Sequence, residues 1–330
     1  MRAKIPAVLV LSVFLGYALT PGAAAPPKKV QIAMIPKAVG NKYFASCEKG
    51  AKKAAEELGV ELLYNGPEEL DSAKQIEQIR TWILKKVDAI CIAPNDPNAI
   101  APVVKQAKAK GIKVLTWDTD APKSDRDLMV NQCDGESLGR HAMDVIAQQV
   151  GEKKSYAIVI GSLTAENLNF WKGFVLKQNE EKYPDIKMVK IEVSDEKREK
   201  AINVTQALLQ AHPDLGGIVA VDSVSFPGAA EGVAQAGKGG QVAVTGFSTP
   251  QDMKDYVKKG VVKTVILWDP SQLGYLTVKL ANELVQGKEI KEGMEIPGFG
   301  KITLDKKDPK VVIMSPPMDF TADNIDNFDF

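Results

Sequence analysis

Short apolar runs of β character alternate with longer segments of helical period along most of this chain, and that alternation restricts the fold more than any other feature. Residues 30–35 form such a run, and residues 43–58 hold helical period up to Gly59. The order repeats through a strand at 60–64, a helix at 72–86 behind the cap candidate Asp71, a strand at 89–93, a helix at 97–110 ended by Gly111, and a strand at 112–117. Strand–helix–strand repeats build parallel sheets, because parallel neighbours need a connection long enough to carry the chain back, and a helix supplies it. A second set follows, with helices at 138–150, 171–183, 197–211, 227–236 and 250–259 between strands at 156–160, 187–193, 217–220, 242–246 and 262–267. The expected class is α/β with two parallel-sheet lobes. A helix at 271–286 and a strand-like tail after Met294 allow the chain to cross back, so neither lobe has to be contiguous. The first is expected to hold 28–130 with about 269–296, and the second 131–268 with about 297–330.

At 330 residues the chain exceeds what one core usually serves, which agrees with two units. Its 42 basic and 42 acidic residues cancel and are interspersed. That leaves no electrostatic footprint for nucleic acid or an anionic membrane surface, and it points to a neutral partner. Arg2 and Lys4 precede an apolar run at 7–19, shorter than the ~20 residues a membrane-spanning helix needs, and small residues follow at 22–25. This is the pattern of a secretory signal over 1–24, expected to be cleaved after Ala24 and to deliver the mature chain to a periplasm. Such a leader, with no room for a helical DNA-binding module before the first strand, argues against a sugar-responsive repressor. Three cysteines do not make a disulfide framework. Cys91 reads as a buried thiol, and a Cys47–Cys133 bridge stays open. His141 and His212 stand apart from each other and from the cysteines, so neither a metal nor another cofactor is expected.

In an open parallel sheet, ligands bind in the crevice beyond the carboxyl ends of the strands. Lys37, Asn95, Asp118 and Trp268 each stand where an apolar run gives out, and Asp96 and Asp269 lie beside them. With Asn41, Phe44, Asn131, Asn167, Asn169 and Trp171, these residues suit a small polyhydroxylated molecule. Asp118 accepts from hydroxyls and Lys37 donates, while Asn95, Asn167 and Asn169 do both. Trp268, Trp171 and Phe44 offer flat faces to sugar C–H groups. Asn95 and Asp96 also precede Pro97 at a helix start, where capping competes with ligand contact. Asp120 reads as a turn residue, and Asn131 with Gln132 as part of the first crossing between lobes. No acid and base are poised around a scissile bond, so a binding protein is favoured over an exported sugar-processing enzyme.

Ile35-Pro36-Lys37, the run from Gly111 to Asp118, Gly246-Phe247-Ser248-Thr249-Pro250, Leu267-Trp268-Asp269 and Asp323-Asn324-Ile325-Asp326 occur in an order that resembles the periplasmic sugar-binding proteins of ABC importers. The likeness spans the mature chain and is strongest to the rhamnose-binding and autoinducer-2-binding branch. It implies a type I periplasmic binding protein: two Rossmann-like lobes joined by a three-stranded hinge, closing over a ligand as a monomer, then delivering it to a permease and in some cases docking on a chemoreceptor. In the autoinducer-2 binders that resemble this chain, polar contacts fall at positions matching Lys37, Asp118, Asn167, Leu168, Val221 and Ser223. Lys37 and Asp118 keep the expected types. An Asp-Gln pair is replaced by Asn167-Leu168, and Pro and Ala by Val221 and Ser223. A leucine in place of a glutamine leaves ligand hydroxyls unpaired at ~1–3 kcal/mol, which favours a related sugar over autoinducer-2.

Overall fold

The computed structural model describes residue 1, residues 29–151 and residues 154–330. The secretory signal expected over 1–24 lies outside the described residues, Met1 aside. From the first strand onward the elements are β1 (Gln31–Ile35), α1 (Lys42–Leu58), β2 (Glu61–Tyr64), α2 (Ser72–Lys85), β3 (Ala89–Ile92), α3 (Pro97–Ala109), β4 (Lys113–Trp117) and β5 (Leu128–Asn131). Next come α4 (Gly135–Gln149), β6 (Ser155–Ile160), α5 (Glu166–Lys182), β7 (Lys187–Val193), α6 (Arg198–Ala211), β8 (Gly217–Ala220), α7 (Ser225–Gln235), β9 (Ala243–Gly246), α8 (Pro250–Lys258), β10 (Val265–Leu267) and α9 (Pro270–Val285). Five short strands close the chain, β11 (Glu295–Ile296), β12 (Gly300–Lys301), β13 (Thr303–Leu304), β14 (Val311–Ile313) and β15 (Met318–Phe320), before a 3-10 turn at Ile325–Asn327.

Two parallel sheets organise these elements. The first runs β13-β14-β5-β4-β3-β1-β2, parallel throughout except for β13, which is antiparallel to β14. The second runs β7-β6-β8-β9, all parallel. Helices cover both faces, so the central strands are buried at every position rather than alternating: β3 at all four residues and β6 at all six. Helix starts follow the local sequence. Asn41, Asp71, Asp96, Asp134, Thr249 and Asp269 each accept a backbone N–H of the first turn of the helix they precede. Gly59, at φ 66°, ends α1 in the left-handed conformation that glycine adopts without strain.

The chain passes between the sheets three times. It leaves the first sheet after β5 and returns from β10 into α9, which packs on β3 and β4. The third crossing differs from the expectation. It lies between β14 and β15, not near Ile296, because β14 adds in parallel to β5 and β15 pairs antiparallel with β10. Residues 303–313 therefore belong to the first sheet, where the sequence reading had placed everything beyond 297 with the second lobe. Met314 N–H donates to Asn131 O at 2.8 Å and Ser315 N–H to Gln132 O at 3.3 Å, which ties the first and third crossings side by side. Arg126 secures the base of this region. It donates twice to Asp120 at 2.6 Å and once to Asp308 at 3.1 Å, which gives Asp120 its turn role.

A shut interlobe cavity as the candidate binding site

The carboxyl ends of β1 and β4 face the N-terminal turn of α5 across the gap between the sheets. Pro36 ends β1 and passes the chain to Lys37, whose ammonium is only 4% exposed. Its Nζ donates to Asn167 Oδ1 at 3.0 Å, from one lobe to the other, and lies 3.3 Å from Asp118 Oδ2. Asp118 follows β4 with φ 62°, a left-handed conformation that costs a non-glycine residue free energy and persists where the surroundings hold it. Here they do. Tyr43 O–H donates to Asp118 Oδ1 at 2.7 Å, Thr119 O–H to Oδ2 at 3.2 Å, and Trp268 Nε1–H to the Tyr43 hydroxyl at 3.1 Å. Asn167 Nδ2 reaches the Asp118 carbonyl at 3.4 Å. An ion pair of Lys197 with Glu69 at 3.5 Å spans the mouth. The lobes are thus shut on one another.

Between them lies a cavity lined from both lobes. Lys37, Asn41, Phe44, Asp118, Asn167, Trp171, Ser223 and Trp268 line it, as do Tyr43, Leu168, Glu196, Asp222 and Phe247. The aromatic wall packs Trp268 edge to face with Tyr43 at 5.9 Å and Trp171 edge to face with Phe247 at 5.4 Å, while Trp171 and Trp268 meet at a tilt with ring centres 5.7 Å apart. Asn41 both caps α1 and faces the cavity.

The other expected residues serve elsewhere. Asp96 and Asp269 are occupied in capping α3 and α9. Asn169 turns back on its own helix start, donating to Leu163 O and Ala165 O at 2.9 Å. Val221 is fully buried in the core, and Asn131 ends β5 at the hinge. Asn95 borders an adjoining pocket that shares Lys37 and Glu196 with the main cavity. Its Nδ2 donates to Lys37 O at 2.9 Å, and its buried Oδ1 has no partner. Gln75, buried on α2, clamps the ends of β1 and β3 by donating to Pro36 O and Ala93 O. Cys47, Cys91 and Cys133 are buried free thiols, so the bridge left open between Cys47 and Cys133 is not formed. His141 joins α4 to β15 through Asp319 at 2.7 Å.

Sequence reasoning missed Glu196 and Asp222, although both follow strand ends of the second sheet. Asp222 is 6% exposed; its Oδ1 accepts from the N–H groups of Val224 at 3.0 Å and Ser225 at 2.7 Å, while Oδ2 has no hydrogen-bond partner. Glu196 stands at φ 50° in the β7–α6 loop. Gly161 leaves room for both side chains, since a Cβ built there would sit 2.6 Å from the Glu196 Cγ methylene and 2.9 Å from the Asp222 carboxyl carbon. Burial pushes the Glu196 carboxyl up to about 7, with Lys37 opposing and Asp222 and Asp118 adding to the rise. Burial raises Asp222 as well. The folded chain therefore holds a proton that an unfolded carboxyl has already released. Stability should be greatest near the ordinary carboxyl range and should fall as pH rises through about 7. Urea unfolding between pH 5 and 8 checks this: Glu196→Gln should flatten the decline, and an unchanged slope would remove Glu196 as its source.

A family model described as a periplasmic binding protein domain matches residues 32–289. The chain belongs to the periplasmic binding protein family. It is 27% identical to the ribose import binding protein RbsB of Bacillus subtilis over 309 residues, covering 90% of this chain and 98% of that one. Among solved structures, LsrB from Clostridium saccharobutylicum in complex with AI-2 superposes with a TM-score of 0.84 at 29% identity, covering 91% of this chain and all of that one. A Clostridium phytofermentas ABC transporter solute-binding protein with bound L-rhamnose gives 0.85 at 28% identity, with 91% and 98% covered. Family membership accounts for the paired parallel sheets, the three crossings and the cavity between the lobes. Among the described residues, no helix is long and apolar enough to cross a membrane, and no group of three or more His, Cys, Asp or Glu could hold a metal ion.

Proposed function

We propose that this protein captures a monosaccharide or small polyol by closing its lobes over it, works outside the cytoplasm as a monomer, and passes the ligand unaltered to an ABC transporter permease. One observation carries the reading: the cavity is walled by both lobes, with Lys37 and Asp118 from the first meeting Asn167 from the second. Hydrogen-bonding groups of both kinds ring an aromatic wall, as a ring with polar edges and apolar faces requires. The ribose import binding protein and the solved structures holding L-rhamnose and AI-2 support the ligand class. AI-2 itself is the second reading, favoured by the likeness to LsrB and by Lys37 and Asp118 in the cavity. Leu168 speaks against it, since it presents apolar surface there. Glu196 and Asp222 are the pair an enzyme would use, but both lie against Gly161 on one wall. Glycoside cleavage needs carboxyls on either side of the bond.

A closed state that binds ligand from both sides is stabilised by the difference in affinity between open and closed forms. Calorimetry against a panel of monosaccharides and polyols should therefore find a ligand. Its saturation should shrink the radius of gyration in solution scattering and alter tryptophan emission as Trp268 and Trp171 lose water. Mass spectrometry should return that ligand intact. Binding without any change in scattering or emission would discard the closing trap, and a chemically altered ligand would move the protein to the enzyme class.

A further inference from the structure

The second-lobe wall of the cavity carries two acidic side chains, Glu196 and Asp222, with no ion-pair partner among the described residues. One ammonium, Lys37, faces three carboxylates, Asp118, Glu196 and Asp222. Lys37 is committed to Asp118 at 3.3 Å. Among the described residues no hydrogen bond or ion pair reaches the Glu196 carboxylate, and Asp222 Oδ2 is buried without a partner. The start of α7 offsets part of the Asp222 charge through Oδ1 and does nothing for Glu196. The Glu196 Cγ methylene and the Asp222 carboxyl both lie within 3.0 Å of the point a Gly161 Cβ would occupy, which sets the two acidic side chains side by side.

We propose that the cavity is shaped for a ligand bearing an ammonium group as well as hydroxyls, an amino sugar or amino polyol whose positive charge sits between Glu196 and Asp222. The proposal rests on the sugar-binding reading and narrows it. A buried charge is costly unless it is paired. A neutral sugar could donate hydroxyls to the two carboxylates but would bring no charge, so the pair would have to keep a proton, as neighbouring carboxylates do. An ammonium supplies three donors and the missing charge together, and hydrogen bonds between ionised groups are the stronger kind. A metal ion is the poorer counter-charge, because no metal-holding group exists among the described residues. The balanced charge of the whole chain, which pointed to a neutral partner, does not report on the pocket: the compensating lysines and arginines lie outside it.

Calorimetry at pH 7.5 with D-glucosamine, D-galactosamine and 1-amino-1-deoxy-D-glucitol, each beside its neutral parent D-glucose, D-galactose or D-glucitol, tests the assignment. At least one amine should bind about tenfold or more tightly than its parent. Glu196→Gln and Asp222→Asn should each shrink that ratio toward one. Parents that bind as tightly as the amines in the wild-type protein would overturn the inference and leave the sugar-binding reading standing, as would a ratio unmoved by both substitutions. Silence from amines and parents alike would overturn both.

Discussion

Asp118→Ala should weaken ligand binding by roughly a hundredfold or more while the protein still folds. The carboxylate is placed to accept ligand hydroxyls, and hydrogen bonds to a charged group contribute ~1.5–3 kcal/mol each, so two lost bonds already approach that factor. A second cost falls on closure. In the shut form Lys37 is buried against Asp118, and removing one member of a buried ion pair costs ~3–5 kcal/mol because the other charge stays behind uncompensated. Opening the lobes would return Lys37 to water. The penalty therefore opposes the closed, ligand-holding state more than the fold itself, and the Tyr43 hydroxyl loses its acceptor at the same time. Asp118→Asn, which keeps the shape and one acceptor, should fall between. Calorimetry on the three proteins decides the matter. An Asp118→Ala affinity within threefold of wild type would remove Asp118 from the binding site.

The parallel α/β architecture was legible because its signal is local and repeated. Each buried strand is a short apolar run, and α1, α2, α3, α4, α8 and α9 each follow a capping side chain in the local sequence. β5 was missed for the complementary reason: only Leu128, Met129 and Val130 are apolar there, between Asp127 and Asn131, too few to show a period. β14 pairs with β5 across about 180 residues of sequence, and no local pattern announces a partner so distant. That single pairing moved the third crossing from Ile296 to the segment after Ile313.

The site divides in the same way. Lys37, Asp118 and Trp268 stood out because strand ends of a parallel sheet collect ligand groups, and the structure brings them together along the cavity. Asp96 and Asp269 occupy equivalent places in sequence and were drawn to capping instead. A carboxylate just before a helix beginning with proline reads the same whether it turns to backbone N–H groups or to a ligand. Asp222 stands between Val221 and Ser223, and only the fold shows that Val221 enters the core while Asp222 and Ser223 face the cavity. Glu196 sits in a loop after an exposed strand, where a charged residue is unremarkable until the fold places it beside Asp222.

Gly274→Val should cost about 3 kcal/mol or more of stability and should also weaken binding. Helices α1 and α9 cross where Gly50 and Gly274 let their backbones touch. A Cβ at Gly274 would lie 1.9 Å from Cys47 O, and one at Gly50 would lie 1.7 Å from Ser271 O. Carbon and oxygen do not approach so closely, and the obstacle is backbone, which cannot swing aside as a side chain can, so the helices would have to part. Higher helix propensity favours most replacements of a mid-helix glycine by up to ~1 kcal/mol, less for a β-branched residue, and that gain is too small to reverse the sign. Gly173 on α5 supplies the control: a Cβ there meets nothing within 4 Å, so Gly173→Ala should raise stability by ~0.5–1 kcal/mol. The binding effect follows from what the two helices carry. Tyr43 lies in the first turn of α1 and Trp268 just precedes α9, and their 3.1 Å hydrogen bond supports Asp118 from behind. Parting the helices stretches that bond and loosens the carboxylate on which the ligand depends. Urea midpoints and calorimetric affinities of both variants provide the check: a Gly274→Val midpoint equal to that of wild type would mean that the close helix crossing is not what fixes the first lobe.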